Sequence, residues 1–494
     1  MHPHVLDWEN KPLLFKIYPT LEVTRLPRDF HETGNAALAA IATPGSTTQE
    51  EAVPDFETLA QLLFFSAGVV RSKKHAQGET FFRAAACTGA LYEIELYFAC
   101  TDVHAKGKSA EIVLPAGVYH FGAAEFGLRQ LRAGDFRHAL VEATASRDSV
   151  AHAPVIIVCT GTYWRNAWKY HSRTYRHFGW DNGTILANLL AMAAASNLPS
   201  EVVSGFMDSQ VNALLGLNTN REAALSIVPI GRVSAVPPPP PPVTALELPT
   251  VAYSEKEVEY PAMRKMHDAS SLGSAEEVAA WRGKAAEHPS AVVKRESTPL
   301  QPLDDSRIPQ DSIEQVISRR GSTRRFSRDP LTFPQLSTIL DRSTRGIPAD
   351  FLDPFGSHLN DLYLIVNSVV GLRAGAYFYR WDEKSLELLK PGEFRDKAGY
   401  LGLEQQIPAD AAVDVFFLAD LKKILERYGN RGYRAAQLEA GILGGKMYLA
   451  AYAQTLGASG LTFYDDDVVS FFSPHARGKS AIFLVALGRS AAQR

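Results

Sequence analysis

The sequence predicts an α+β protein built as two tandem copies of one domain, and three observations carry that prediction. Motifs recur at one spacing: Tyr175-Arg176 followed by Asp181-x-Gly183 returns as Tyr433-Arg434 followed by Glu439-x-Gly441. Lys169-Tyr170-x-x-Arg173 returns as Arg427-Tyr428-x-x-Arg431, and Gly117-x-Tyr119 as Gly375-x-Tyr377, all 258 residues apart. Self-similarity at a fixed offset is the mark of duplication. Between the copies lies an unbroken run of prolines at 237–242; such a run enters neither a helix interior nor a central strand and reads as an extended spacer. Finally, each half mixes short β-rich runs with long apolar helical stretches.

Taken in order, residues 56–70 read as a helix with Leu59, Leu62, Leu63 and Phe64 on one face. The loop Arg83-Ala84-Ala85-Ala86-Cys87-Thr88-Gly89-Ala90-Leu91-Tyr92 leads into strands at 94–98, 117–121 and 155–159. Residues 173–198 open with charges and aromatics and continue as an Ala/Leu-rich helix from 183. The boundaries expected are a first domain at 1–232, a proline-rich and irregular linker at 233–309 with a helix at 274–288, and a second domain at 310–494. In the second copy Phe333-x-x-Leu336 answers Phe56-x-x-Leu59 at the longer offset of 277, which implies a deletion. Thr332, Pro334 and Gln335 look like a capped helix start, and a helix is expected at 441–457.

Apolar residues make up 46% of the chain and charged ones 21%, as in a globular protein with ample core. The net charge of −3 gives no basic face for nucleic acid. Cys87, Cys100 and Cys159 form neither a metal spacing nor a disulfide framework. A reducing, cytoplasmic setting without metal is expected. No apolar run is long enough to span a membrane, and no signal peptide is read at the start. His2 and His4 are taken as part of a terminus rather than as a metal pair.

The chemistry concentrates at Ser318-Arg319-Arg320-Gly321-Ser322-Thr323-Arg324-Arg325-Phe326. Guanidinium groups are planar, permanently charged forks of donors that suit a phosphate. Arg320, Ser322 and Arg324 alternate, so in an extended segment they would close on one anion. The segment resembles the phosphate-binding stretch of nitroreductase-fold flavoproteins, Arg-x-Ser-x-Arg/Lys-x-Phe after a short helix. The loop at 83–92 is similar to that family's ring loop, with Ala86 and Cys87 where the family has Pro and Ser.

The resemblance implies FMN as cofactor and a nitroreductase-like fold in each half. Members of the family are usually homodimers with the flavin at the interface, so a tandem chain is expected to form an intramolecular pseudo-dimer. The second copy keeps Arg320, Ser322, Arg324, Glu439, Gly441 and Arg489. The first has no cation at 42–48 but keeps the ring loop with Thr88 and Gly89. One FMN per chain, drawing on both copies, is the expectation. Leu438-Glu439-Ala440-Gly441 and the run at 459–466 bring the chain nearest to SagB-type, azoline-oxidase-like dehydrogenases. In those a Lys-Tyr pair is linked to catalysis, which implies that role for Lys169 and Tyr170. The substrate would be a small molecule or a peptide, with a peptide-modifying complex as partner. Two other readings stay open: an NAD(P)H-dependent nitro or quinone reductase, although no Rossmann glycine fingerprint is present, and a flavin-free scaffold subunit.

Overall fold

Runs rich in β-branched and aromatic residues become the central strands of two sheets in the computed structural model, which describes residues 5–43, 50–75, 78–283 and 296–491. The first sheet runs in the order Thr24–Arg25, Gly127–Ala133, Gly117–Gly122, Ile94–Cys100, Val155–Thr162, Glu222–Ile230. Every neighbouring pair is antiparallel. Ile94–Cys100, expected as a strand from its alternation and β-propensity, and Val155–Thr162, expected as a buried strand, are both buried at every position. The second sheet runs Ser297–Pro299, Ser385–Pro391, Gly375–Arg380, Asn360–Val366, Val413–Ala419, Ser480–Gly488, Gly457–Leu461, again antiparallel throughout.

The offset of 258 is preserved in the elements themselves. It separates the starts of Gly117–Gly122 and Gly375–Arg380, of Tyr163–Tyr170 and Leu421–Tyr428, and of Glu222–Ile230 and Ser480–Gly488. The two halves are therefore tandem copies of one α+β domain. They differ at one edge: Gly457–Leu461 is a full strand on Ser480–Gly488, whereas the first half shows isolated bridges from Ser200 to Ile230 and from Val203 to Ile227.

Helix ends are set by caps. Phe56–Ala67 begins where the Asp55 side chain accepts from Thr58 N at 2.8 Å. It ends at Ala67 rather than at the expected 70, because the backbone turns extended at Gly68 and Val69 opens a β-hairpin, Val69–His75 with Gly78–Arg83. Phe333–Ser343 starts with a full capping box between Thr332 and Gln335 and a proline in its first turn. The Ala-rich stretches are the later parts of two long buried helices, Thr174–Ala195 and Arg431–Ala453. These begin earlier than the apolar pattern shows, because their first turns carry polar residues. They also end earlier, and Gly457 belongs to a strand. The helix expected at 274–288 is seen as Ala275–Arg282, capped by Ser274; residues 284–288 lie outside the described residues, as do His2 and His4. Residues 237–242 form neither helix nor strand. Among the described residues, no helix is long and apolar enough to cross a membrane.

The chain packs as two units. One holds Met1–His31, Gly45–Lys284 and Pro348–Phe351; the other holds Glu32–Pro44, Ala285–Ile347 and Leu352–Arg494. Each unit thus contains a short segment from the other half of the sequence. In the second unit Ala37 N donates to Asp311 O at 3.0 Å, Ile313 N to Asn35 O at 3.1 Å, and Thr33 N to Glu314 Oε1 at 3.0 Å. In the first unit Val202 N donates to Pro348 O at 2.8 Å, and Asp350 accepts Ser204 N and Gly205 N, both at 2.8 Å.

The first sheet also carries a buried ionic cluster. Glu95 Oε1 accepts from Arg165 at 2.7 Å and Oε2 pairs with His120 Nε2 at 3.0 Å. Lys16 Nζ donates to Tyr97 OH at 2.8 Å and to Glu222 at 2.5 Å. Burial pushes the Glu95 carboxyl up, but Arg165 and His120 outweigh it and hold it at about 2. Removing one partner of a buried pair costs about 3–5 kcal/mol, so Glu95→Gln is expected to lose that much in denaturant titrations at neutral pH. A folded-state value below the ordinary 4.5 means this stabilisation is fully present above about pH 4.5 and lost as pH falls through about 2. A Glu95→Gln loss that stays the same at low pH would refute the assignment.

Candidate active site

Each long helix carries a buried carboxylate in its first half, and each carboxylate holds a loop. In the first unit Asp181 accepts from Thr88 N at 3.0 and 2.8 Å and from Thr88 Oγ1 at 2.9 Å. In the second unit Glu439 accepts from Leu359 N at 3.0 and 2.9 Å and from Asn360 Nδ2 at 2.6 Å. The repeated motif Glu439-x-Gly441 therefore places Glu439, 1% exposed, as a loop anchor inside the second unit, with Gly441 buried half a turn further along the same helix. Burial raises Glu439 to about 8, although the donors from Asn360 and Leu359 pull it down.

Around Thr88 the first unit assembles several of the expected residues. Gly89 has φ of +67°, a left-handed conformation that suits glycine, and a Cβ there would sit 2.9 Å from Tyr170 OH. Thus Tyr170 and the ring loop meet within one unit. Lys169 Nζ lies over the Tyr170 ring, 5.3 Å from its centroid, so the contact between the pair is ammonium on ring face. Two further residues complete the arrangement. Asn166 Nδ2 donates to Thr88 O at 3.3 Å, and Asn166 Oδ1 meets Thr174 Oγ1 at 2.9 Å and His177 Nδ1 at 2.8 Å. His177 packs edge-on to Tyr170 at 4.7 Å, and burial first, then Arg173 and Arg176, hold its ring well below the usual histidine range. The imidazole is neutral there.

In the second unit the arginine segment leaves the short helix Ile313–Arg319 in an extended conformation, with Arg320 at φ −58° and ψ 138°. Its residues alternate. Arg320 lies with its guanidinium 5.9 Å from the Tyr448 ring centroid, and Ser322 Oγ is 3.3 Å from Tyr448 OH. Gly321 and Thr323 face Tyr452 instead, with Thr323 Oγ1 3.3 Å from its hydroxyl. Thr323 N is tied to Ala458 O at 2.9 Å. Arg324 is exposed, and among the described residues no hydrogen bond or ion pair engages its side chain. Arg489 Nε donates to Pro330 O at 3.1 Å, and Ser327 N donates to Arg489 O at 3.0 Å, so Arg489 tethers the far end of the segment. The residue types fit a phosphate: a buried guanidinium and a hydroxyl on one side of an extended strand, and an unengaged arginine two positions on.

Sequence reasoning missed Tyr448, Asn166, His177, and the anchoring role of Asp181. Asp181 was visible as half of a repeated motif, but its partner lies 93 residues away, beyond any local pattern.

A family model described as the nitroreductase family matches residues 49–232 and 317–489. A protein of Methanocaldococcus jannaschii carrying a nitroreductase name is 26% identical over 170 residues, which cover 33% of this chain and 84% of the relative. A crystal structure from Anabaena variabilis, also bearing a nitroreductase name, covers 99% of this chain and 96% of its own at 23% identity, with a TM-score of 0.74. That likeness shows the fold across both halves. A second, from Ralstonia eutropha, covers 47% of this chain and 97% of its own at 20% identity, with a TM-score of 0.34.

Two outcomes follow from this geometry. Gly89→Ala is expected to lose ~1–2 kcal/mol of stability from the backbone alone, and more from the tyrosine hydroxyl. Adding Tyr170→Phe should recover part of it in urea titrations; strictly additive losses would show that the two residues do not touch. For Glu439, the folded chain keeps a proton that the unfolded chain has released between the ordinary carboxylate range and about pH 8, so stability falls as pH rises through that interval. Glu439→Gln should flatten the slope between about pH 5 and about pH 8; parallel slopes would exclude Glu439 as its source.

Proposed function

Because the chain belongs to the nitroreductase family, with both copies matching the family's domain, we propose that it is an FMN-dependent oxidoreductase. The observation that carries this reading is the shared orientation of Arg320 and Ser322 at Tyr448, with Arg324 unengaged two residues on. FMN, when bound, supplies a ring nitrogen that exchanges hydride with a substrate. The phosphate would be held by Arg320, Ser322 and Arg324, with Gly441 and Arg489 contributing from the same copy. In sequence the two copies have lost opposite parts: the first keeps the ring loop with Thr88 and Gly89 but no cation at 42–48. A phosphate dianion needs cations, and residues 42–48 offer none.

Tyr170 and Lys169 are the candidates for moving a proton. Tyr170 OH lies against Gly89, so a substrate resting on that loop would meet a phenol. Lys169, over the ring face, would favour the phenolate electrostatically. Neutral His177 would keep the Tyr170 ring in place. The SagB-type resemblance extends this to oxidation of a heterocycle in a peptide or small molecule.

The test is an absorption spectrum of the purified protein with its flavin-to-chain ratio. One FMN per chain is expected; a colourless protein would favour a scaffold role, and two flavins would overturn the division between copies. Rapid bleaching by NAD(P)H without any peptide would favour a nitro or quinone reductase. Arg320→Ala should weaken flavin binding roughly ten- to hundredfold, the equivalent of ~1.5–3 kcal/mol for a charge-assisted contact. Undiminished flavin in the Arg320→Ala, Arg324→Ala double variant would contradict the phosphate assignment.

A further inference from the structure

In the first unit Asp181, the anchor of Thr88, also belongs to a cluster with Cys87 and Glu93, two residues to which the flavin reading gives no role. Cys87 Sγ lies 3.3 Å from Glu93 Oε2 and 3.2 Å from Asp181 Oδ2. One candidate ligand atom from each residue lies within 4.8 Å of the others. Glu93 is 0% exposed and Asp181 4%. The second copy shows what an ordinary anchor looks like at this place: Glu439 is met by an N–H and an amide. Asp181 instead faces a thiol and a second carboxyl. Thr88 satisfies one side of Asp181, and Tyr92 N donates to the sulfur at 3.1 Å. Glu93 Oε1, enclosed in the interior, has no hydrogen-bond partner among the described residues. An unpaired carboxylate oxygen in the interior is costly unless a cation meets it.

We propose that Cys87, Glu93 and Asp181 bind a divalent cation of the zinc class. A thiolate with two carboxylates is a donor set that zinc accepts, and Zn–S and Zn–O bonds of about 2.3 and 2.1 Å at a tetrahedral angle put sulfur and oxygen about 3.6 Å apart. The observed separations are close to this. A small cavity of about 10 Å³, lined by Cys87 and Asp181 together with Arg83, Tyr92 and Ile185, has room for one water as fourth ligand. Three anionic ligands, a dication and the buried guanidinium of Arg83 balance in charge. The ion would pin the ring loop, the start of strand Ile94–Cys100 and the long helix to one point.

The test is metal analysis by mass spectrometry on the full-length protein, as purified and after equilibration with zinc followed by gel filtration. Flavin is counted in the same samples, so metal content and flavin content are read separately. A ratio near one zinc per chain is expected. Glu93→Gln and Cys87→Ser should each reduce retained metal roughly tenfold or more. Cobalt-loaded protein should show visible ligand-field absorption beyond the flavin bands, altered in Cys87→Ser. Wild-type protein that retains no metal after equilibration overturns the proposal whatever the variants do, and so does a folded Glu93→Gln protein that keeps the wild-type ratio.

Discussion

A buried carboxylate on each long helix, receiving backbone N–H groups from a preceding loop, is the constraint on which both candidate regions depend. Asp181 fixes Thr88, and with it the left-handed turn at Gly89 that Tyr170 covers. Glu439 does the same for Leu359 and Asn360 at the head of the central strand Asn360–Val366. A loop carrying unpaired amides beside an apolar helix would lose a few kcal/mol to desolvation. Placing the acceptor on the helix removes that loss and fixes the loop's height above the sheet.

The copies then diverge around a shared frame. Most strands and helices keep one spacing from Gly117 to Ile230 and from Gly375 to Gly488, since a change of length within a strand would shift every side chain to the wrong face. Loops bear no such restriction. The second copy has its arginines, with Arg320 and Ser322 turned to Tyr448. The first has Asn166, His177 and Tyr170 gathered at the ring loop. Duplication leaves one copy free to lose what the other retains.

Much of this was legible in sequence. Periodicity located the helices at Phe56 and Phe333, and the Thr332–Gln335 pair marked a capped start that the structure shows as a reciprocal box. Ends were harder: the pattern at 441–457 carried past Ala453, because small apolar residues suit a buried helix and the strand beside it equally well. The alternation of Arg320 and Ser322 against Gly321 and Thr323 follows from the two-residue period of extended chain. The cluster of Cys87, Glu93 and Asp181 was invisible, since its members come from a loop, a strand start and a helix with no characteristic spacing. Nor does local pattern reveal which half a segment packs with, as 32–44 and 348–351 demonstrate.

Those two segments bear on the history of the chain. Each unit is completed by residues encoded in the opposite half: Asp350 closes onto Ser204 and Gly205, and Ala37 onto Asp311. Suppose the ancestral copies were once independent subunits. Once fused, they could trade pieces at high effective concentration without waiting for an encounter. Afterwards a break at the proline run would release two chains, each lacking a part of its own core and carrying a part of its neighbour's. The exchange therefore ties the completion of each unit to both halves of the sequence.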